Sequence, residues 1–366
     1  MHLINLSINN FKNYEDAQAV FCPKINCFVG NNGCGKTNLL DAIHYLSFSK
    51  SYFNSSDTQN IRYEQCFFAL HGNYETENGE VSVSCIQKRN QRKIFKLNKK
   101  EYDRISEHIG KFPLIMVAPQ DQELINGSSE IRRKFLDSVI SQFNRPYLEK
   151  LIHYNRVLEQ RNRLLKQDYI DPSLLDVFDD QLTSYAYFLY QARKQFVDRF
   201  IPIFQQYYQE IAGTKEKINL QYISQIKDSD SMGILLKESI KKDQILQYTT
   251  VGIHKDDLAL LLEEYPIKKV GSQGQQKSFI IALRLAQLQY ISEQKKFFPI
   301  LLLDDIFDKL DKQRACKLMN LVGQSHFGQV FLSDTDMERV ENIFKLFPSE
   351  HLIYKISDAE IQKTTL

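Results

Sequence analysis

The chain has 366 residues, with 43% hydrophobic and 25% charged residues, as is typical of a globular protein with one or two domains. Its formal net charge of +2 excludes a protein that binds nucleic acid over its whole surface, so such binding would need a local basic patch. The six cysteines show no zinc-binding spacing, no apolar run is long enough to span a bilayer, and no signal peptide is visible, so we expect a cytoplasmic protein that uses no membrane.

Apolar runs in the first third of the chain predict strands, and the middle of the chain predicts helices. The strand runs cover residues 3–11, 25–30, 66–74, 80–87, 92–98 and 113–119. The helical pattern extends from about residue 128 to residue 212, with Asn144 as a cap and Pro202 as a predicted kink or break. A helix over 272–291 and strands near 299–307, 329–334 and 351–357 follow.

This order of elements predicts an α/β nucleotide-binding domain that carries an inserted helical subdomain. We expect residues 1–127 to form the N-terminal part of the α/β lobe, 128–250 a mainly helical subdomain, and 251–366 the C-terminal return of the lobe.

The sequence GNNGCGKT at residues 30–37 has the spacing of a phosphate-binding loop. A predicted strand precedes it and an amphipathic helix follows, so the helix N-terminus would face the phosphates. Lys36 would contact the β- and γ-phosphates, and the Thr37 hydroxyl would bind Mg²⁺. The candidate nucleotide-binding residues in this segment are Gly30, Asn31, Asn32, Gly33, Cys34, Gly35, Lys36, Thr37 and Asn38. Cys34 would be reactive here if the helix N-terminus lowers the pKa of its thiol, although a packing role is the simpler interpretation.

Two acidic residues end the apolar run ILLL and complete the pattern of an ATPase. Asp304 fits the carboxylate that binds Mg²⁺, and Asp305 fits the group that orients or deprotonates an attacking water. Most of the chain separates them from the phosphate-binding loop, which small kinases and GTPases do not show.

A second phosphate-binding surface is predicted where the helix over 272–291 begins. Its first residues are Ser272, Gln273, Gly274 and Gln275. One chain cannot easily bring this helix start and the phosphate-binding loop to one nucleotide, whereas two chains placed head to tail could. The simpler alternative is an ordinary capped helix.

Together these motifs resemble the ATP-binding-cassette proteins, and within them the RecF family of bacterial recombination and repair ATPases, which is related to the heads of Rad50 and the SMC proteins. The stretches FKNY, KTNLLDAI and GIHKDD carry the closer likeness. The resemblance implies an ABC-type P-loop ATPase head with an inserted α-helical subdomain and no long coiled coil.

The resemblance also implies roles for individual residues. Lys12 would lie near the nucleotide, Gln120 would sense Mg²⁺ and the attacking water, and Asp311 would belong to the loop that crosses the dimer interface. Ser272 to Gln275 would act as the signature motif on the nucleotide of a second copy. The sequence departs from the family where Gln120 replaces an acidic residue and where Thr335 and Asp336 stand in place of the switch histidine.

Basic residues cluster in two segments. Without the resemblance, the simpler interpretation of both segments is solvated surface. The basic residues include Arg89, Arg92, Lys93, Arg161 and Arg163. The resemblance favours contact with duplex DNA at gaps or junctions, with ATP and Mg²⁺ as cofactors, a homodimer formed on ATP, slow hydrolysis, and RecR and RecA as partners. The alternative is an ABC-type ATPase subunit of another machine, either transporter-like or with an SMC/Rad50-like structural role.

Overall fold

The computed structural model describes residues 1–213, 216–306, 312–322, 327–346 and 350–364. These residues divide into two compact units. The first unit comprises Met1–Asp121, Glu210–Gly213 and Lys277–Leu366, and the second comprises Gln122–Gln209 and Thr214–Gln276.

The helices and strands follow one another in a mixed α/β order. The N-terminal elements are β1 (His2–Phe11), β2 (Tyr14–Val20), β3 (Ile25–Val29), α1 (Lys36–Phe48), β4 (Phe67–Thr76), β5 (Gly79–Lys88), β6 (Ile94–Leu97), β7 (Lys100–Glu101) and β8 (Leu114–Val117). The central elements are α2 (Glu123–Asn126), α3 (Ser129–Phe143), α4 (Arg145–Leu164), α5 (Pro172–Ala212), β9 (Ile218–Ile223), α6 (Ser231–Leu246), β10 (Asp257–Leu262), β11 (Tyr265–Pro266) and α7 (Ile267–Val270). The C-terminal elements are α8 (Gln273–Lys295), β12 (Ile300–Leu303), α9 (Lys312–Val322), β13 (Val330–Asp334), α10 (Met337–Leu346), β14 (His351–Ser357) and β15 (Glu360–Thr364).

Two six-stranded sheets form the first unit. One is antiparallel in the order β2-β1-β4-β5-β6-β7, and the other has the order β15-β14-β3-β13-β12-β8. In the second sheet every neighbouring pair is parallel except β14 with β15. The carboxyl ends of five parallel strands therefore meet at one edge of this sheet, which is where ligands bind in open α/β sheets. We call it the carboxyl edge.

Helix α1 is buried on nearly all its faces because it packs against both sheets. Leu39, Leu40, Ile43 and Leu46 of α1 are all buried, in one core with Phe68 and residues of the parallel sheet. This packing fixes the position of α1 after the loop of residues 30–35, which follows β3.

The second unit is mainly helical, with the small antiparallel sheet β11-β10-β9. Sequence analysis missed β9 and β10. The N-terminus of α4 agrees with prediction, because the Asn144 side chain accepts a hydrogen bond from Tyr147 N at 3.0 Å and proline occupies the first turn.

Of the kink or break predicted at Pro202, the break is wrong, because α5 continues through Pro202 to Ala212, and the kink stays a prediction. A proline inside a helix removes one backbone hydrogen bond and costs about 3 kcal/mol. Phe200, Phe204 and Tyr208, on both sides of the proline, are each 0% exposed. Burial of these three aromatic side chains outweighs the cost, at about 1.5–3 kcal/mol each.

Candidate nucleotide site

The loop between β3 and α1 lies at the carboxyl edge, as the motif predicts. Gly30 N donates to Asp334 O at the end of β13 at 3.2 Å. A β carbon at Gly30 would lie 2.2 Å from Ile356 O, so only glycine fits there. Gly35 has φ of 117° as the N-cap of α1, and a β carbon there would lie 2.8 Å from Asn13 Nδ2.

The ammonium group of Lys36 lies inside this loop. Its Nζ donates to Gly30 O at 2.8 Å and to Asn31 O at 3.0 Å, and the residue is 3% exposed. Asn31 and Asn32 are exposed, Cys34 is half-buried, and Asn38 donates to the Asn13 side chain at 2.7 Å. The loop thus holds a cation against its own carbonyl groups, close to the exposed backbone of its tip.

Asp304, which follows β12, meets the first turn of α1. Thr37 Oγ1 lies 3.0 Å from both carboxylate oxygens of Asp304. Ser333 of β13 donates to Asp304 Oδ1 at 2.8 Å and accepts from Asp305 N at 2.9 Å. Burial raises the pKa of the Asp304 carboxyl, and the charge of Asp305 adds to the effect.

Asp305 presents an acceptor that the protein does not satisfy. Its Oδ1 is buried and has no hydrogen-bond partner among the described residues. Its φ of 45° lies in the left-handed region, which aspartate tolerates better than most residues. A buried carboxylate oxygen without a partner is costly, and such cost is typical of a functional group.

These residues fit a magnesium–nucleotide complex. A threonine hydroxyl and a carboxylate are oxygen ligands of the kind that Mg²⁺ prefers, with phosphate oxygens and waters as the others. A β carbon at Gly33 would meet no heavy atom within 4 Å, so the tip of the loop is open. Lys36, Thr37 and the N-terminus of α1 supply the positive and donor groups for a phosphate.

Gln120 lies at the same edge, after β8. It is exposed, and Asp304 N donates to Val117 O at 2.8 Å, so β8 and β12 end side by side. The next residue, Asp121, is buried and accepts from Arg284 Nη2 at 2.5 Å and from the Tyr52 hydroxyl. Sequence analysis missed this cluster, although an arginine within the apolar stretch IIALRLAQL signals a buried partner.

Lys12 is bonded to helix α1. Its Nζ lies 2.6 Å from Asp41 Oδ2, and the two side chains are 11% and 0% exposed. Asp41 also accepts from Ser51 Oγ at 2.6 Å and from Tyr52 N at 2.7 Å. Lys12 therefore anchors α1 in this structure, and its predicted place beside the nucleotide stays a prediction.

The predicted signature residues belong to the second unit and form a reciprocal cap at the start of α8. Ser272 Oγ accepts from Gln275 N at 3.2 Å, while Gln275 Oε1 accepts from Ser272 N at 2.7 Å. This is the capping-box arrangement. Gln273 and Gly274 form the first turn between these two residues.

Three predicted residues of the site remain, and the structure describes two of them. Asp311 falls outside the described residues. Thr335 and Asp336 follow β13, where Asp336 is exposed and accepts from Arg339 N at 3.1 Å. Arg339 also bonds to Asp334 Oδ1 at 2.5 Å.

The structure separates the predicted DNA-contacting residues into exposed and buried ones. Arg89 and Arg92 are exposed beside the β5–β6 turn and donate to backbone carbonyls, and the Arg163 side chain is 74% exposed. Lys93 is 11% exposed and pairs with Asp57 at 2.7 Å, and Arg161 is 0% exposed. The ion pairs of Lys93 with Asp57 and of Arg161 with Asp179 and Asp243 argue against DNA contact by these two cations, and their predicted role stays a prediction.

Known proteins resemble this chain over nearly its whole length. Residues 2–354 match the family described as the RecF/RecN/SMC N-terminal domain. The chain is 48% identical over 362 residues to the DNA replication and repair protein RecF of Parabacteroides distasonis, with 99% of each chain covered. It is 47% identical over 360 residues to the protein of the same name from Flavobacterium johnsoniae, with 97% of this chain and 99% of the relative covered.

Solved structures give the same result. The structure of the recombination mediator protein RecF with ATP, in the RecFOR pathway, is 27% identical, with a TM-score of 0.91 and coverage of 100% of this chain and 98% of that chain. An Smc head domain from Pyrococcus furiosus is 14% identical with a TM-score of 0.60, covers 100% and 96% of the two chains, and shares the fold. The chain belongs to the RecF family of DNA replication and repair proteins, and its head has the ABC-type ATPase fold.

Proposed function

We propose that this protein binds ATP with Mg²⁺ at the carboxyl edge, dimerises on the nucleotide, and engages duplex DNA near gaps or junctions to help load the RecA strand-exchange protein. The bonds of Thr37 and Ser333 to Asp304, next to the unsatisfied Asp305 oxygen, support this proposal most strongly. The relatives named DNA replication and repair protein RecF, and the RecF structure with ATP, support the same assignment.

Each residue of the edge has a chemical task in this proposal. When bound, ATP with Mg²⁺ supplies the phosphoryl group and the charge that makes it reactive. Lys36 and the N-terminus of α1 bind and orient the triphosphate, and Thr37 and Asp304 would hold the metal. Asp305 Oδ1 accepts the proton of the attacking water. Ser333 bonds to both aspartates and keeps them in fixed relative positions.

The second copy would complete the site with its Ser272–Gln275 helix start. A serine hydroxyl and the N-terminus of a long helix are suited to a γ-phosphate. Binding of nucleotide is then also a signal for assembly. Slow hydrolysis would follow from a neutral Gln120 and from Thr335 and Asp336 in place of a switch histidine.

The exposed cations support contact with the DNA backbone. Arg89 and Arg92 in the first unit are exposed to phosphates, and so is Arg163 in the second unit, whose ion pair with Glu159 is itself solvent-exposed. Lys93 and Arg161 are far less exposed and are paired with carboxylates. Such contacts are independent of base sequence and weaken with salt. RecR as an accessory partner is supported by family membership alone.

Binding to gapped duplex DNA, measured against salt concentration with and without ATP, tests this function. We expect ATP to increase the affinity and salt to decrease it. Affinity that does not respond to ATP would contradict the proposal and favour an ABC-type ATPase that serves another machine.

A further inference from the structure

Both ends of the Gln275 amide are bonded in the second unit. Its Oε1 accepts from Ser272 N at 2.7 Å, which caps α8, and its Nε2 donates to Glu216 Oε1 at 2.8 Å. The Gln275 side chain therefore links the N-terminal cap of α8 to Glu216, in the segment that leads into β9. Sequence spacing does not reveal this link, because Glu216 lies 59 positions from Gln275.

Glu216 is itself held by helix α5. Its Oε2 accepts from the Tyr208 hydroxyl at 2.6 Å, and Tyr208 is 0% exposed. Glu216 is half-buried at one side of a polar cleft of about 650 Å³ that is also lined by Gln205 and Gln209 of α5. A buried tyrosine ring has little freedom to turn, so its hydroxyl fixes the position of the carboxylate.

The carboxylate determines which way the Gln275 amide points. An amide has an acceptor at one end and two donors at the other, and a flip exchanges them. Because an ionised carboxylate only accepts, Glu216 bonds to Nε2 and leaves Oε1 facing Ser272 N. In the flipped orientation Gln275 Nε2 would face Ser272 N, so that two donors would face each other. The hydrogen bond that caps Ser272 N would then be lost.

We propose that Glu216 is a positioning residue for the signature motif. It keeps Gln275 in the capping orientation and thereby holds Ser272 and the first turn of α8 ready for the γ-phosphate on a second copy of the chain. Tyr208 supports Glu216 in this role. The inference rests on the proposed function for the significance of Ser272, but the hydrogen bonds themselves do not depend on it.

Hydrogen exchange in the nucleotide-free chain tests the positioning directly. We expect Glu216→Ala to speed exchange at the amides of Ser272 and Gln275 by at least threefold, because their mutual cap loosens. Tyr208→Phe should have a smaller effect at the same amides. Gln209→Ala is the matched control, since Gln209 lines the same cleft and makes no hydrogen bond to Gln275 among the described residues, and its exchange should equal that of the wild type.

The assembly measurement then separates positioning from general stability. We expect Glu216→Ala to weaken the ATP-bound dimer about tenfold, Glu216→Gln to recover part of that loss by restoring an acceptor, and the affinity of the monomer for ATP to change by less than twofold. A purely structural role would lower the melting temperature and ATP affinity together.

The outcomes distinguish this inference from the function on which it rests. A wild-type chain that binds ATP without dimerising would contradict the proposed function, and the exchange data would still decide the role of Glu216. Unchanged exchange in Glu216→Ala, or a dimer as strong as that of Gln209→Ala, would overturn the inference. If Glu216→Ala does not fold, Tyr208→Phe provides both measurements.

Discussion

The carboxyl edge of the first unit and the interior of the second unit both bury carboxylates, but they give them different partners. In the second unit Arg193 bonds to Asp137 at 2.8 Å and to Asp256 at 3.0 Å, and Arg161 pairs with Asp179 and Asp243. At the carboxyl edge Asp304 bonds to two hydroxyl groups, while Lys36 bonds to loop carbonyls.

The paired carboxylates of the second unit therefore have a structural role, whereas those of the carboxyl edge are suited to a chemical one. Arginines that neutralise internal carboxylates fix how the helices of the second unit pack and leave no charge for a ligand. Carboxylates that lack a cation remain available to a metal and to a reacting water, at a cost in stability. Charge removal should therefore have opposite effects on stability in the two places.

The largest expected effect comes from removing the Arg193 cation. Arg193→Met leaves the buried Asp256 and the partly buried Asp137 without their cation, which should destabilise the chain by about 3–5 kcal/mol. Urea unfolding followed by circular dichroism measures this loss. Lys194→Met, one residue away on the exposed face of α5, is the control and should change stability by less than about 0.5 kcal/mol.

Equal stability of the Arg193 and Lys194 variants would contradict the structural role of the buried ion pairs.

In contrast to Arg193→Met, Asp304→Asn should not destabilise the chain, but it should strongly reduce ATP hydrolysis. Burial raises the pKa of Asp304, so its ionised form at neutral pH is less favourable in the folded chain than in the unfolded one. The neutral variant should thus melt at the same temperature or higher without nucleotide. ATP hydrolysis should fall by about 100-fold or more, because the charge proposed to bind the metal is lost.

Asp121→Asn provides the contrast, since Asp121 pairs with Arg284 and its neutral form should destabilise the chain. Comparable destabilisation by both variants would remove the distinction between the carboxyl edge and the paired carboxylates.

The pH dependence of the free energy of unfolding extends the comparison of the two units to one histidine in each, because the two histidines have similar surroundings. His108 in the first unit and His254 in the second each lie beside a carbonyl and a tyrosine hydroxyl, and burial lowers the pKa of each to about 4. The unfolded chain binds a proton near pH 6.5 that the folded chain does not bind. Stability is therefore full above pH 6.5 and falls toward pH 4 by about 1.4 kcal/mol per pH unit for each histidine.

The substitutions His108→Gln and His254→Gln should each reduce this slope by a similar amount between pH 5 and pH 6.5, as measured by urea unfolding at a series of pH values. An unchanged slope in either variant would show that the histidine is protonated in the folded chain.

The smallest expected effect concerns the exposed arginines. Arg92→Ala should weaken DNA binding severalfold and reduce the slope of log affinity against log salt by about 1, because one phosphate contact is lost. Fluorescence anisotropy with a labelled gapped duplex measures both quantities. Lys93→Ala, in contrast, should lower the melting temperature through its bond to Asp57 and leave the salt slope unchanged.

A salt slope that responds to Lys93 and not to Arg92 would reverse the assignment of exposed and buried cations.

Sequence patterns predicted the first unit well because its motifs lie where strands end. The run INCFV before the phosphate-binding loop and the run ILLL before Asp304 form β3 and β12 of one sheet, with the parallel strand β13 between them. Parallel strands place their carboxyl ends together, so residues far apart in sequence meet there. Sequence analysis missed Ser333, although a buried polar residue within the strand VFLSD signals a bonded partner.

The second unit was harder to predict because tertiary contacts override local signals there. Tyr147, Tyr154, Val157, Arg161 and Leu164 follow one another at helical spacing and are all buried. Arg161 thus lies on the apolar face of α4, which its spacing could have revealed, whereas Arg163 points away. Pro202 is tolerated inside α5 because aromatic burial compensates for it, which no local propensity shows.

Sedimentation of the wild-type chain with and without ATP and Mg²⁺ tests the central claim most directly, namely that two chains complete one nucleotide site. We predict a monomer without ATP, a dimer with ATP, no dimer for Lys36→Arg, and a persistent ATP-bound dimer for Asp305→Asn, in which hydrolysis is blocked. A chain that stays monomeric with ATP bound, or one that is dimeric without nucleotide, would contradict the account.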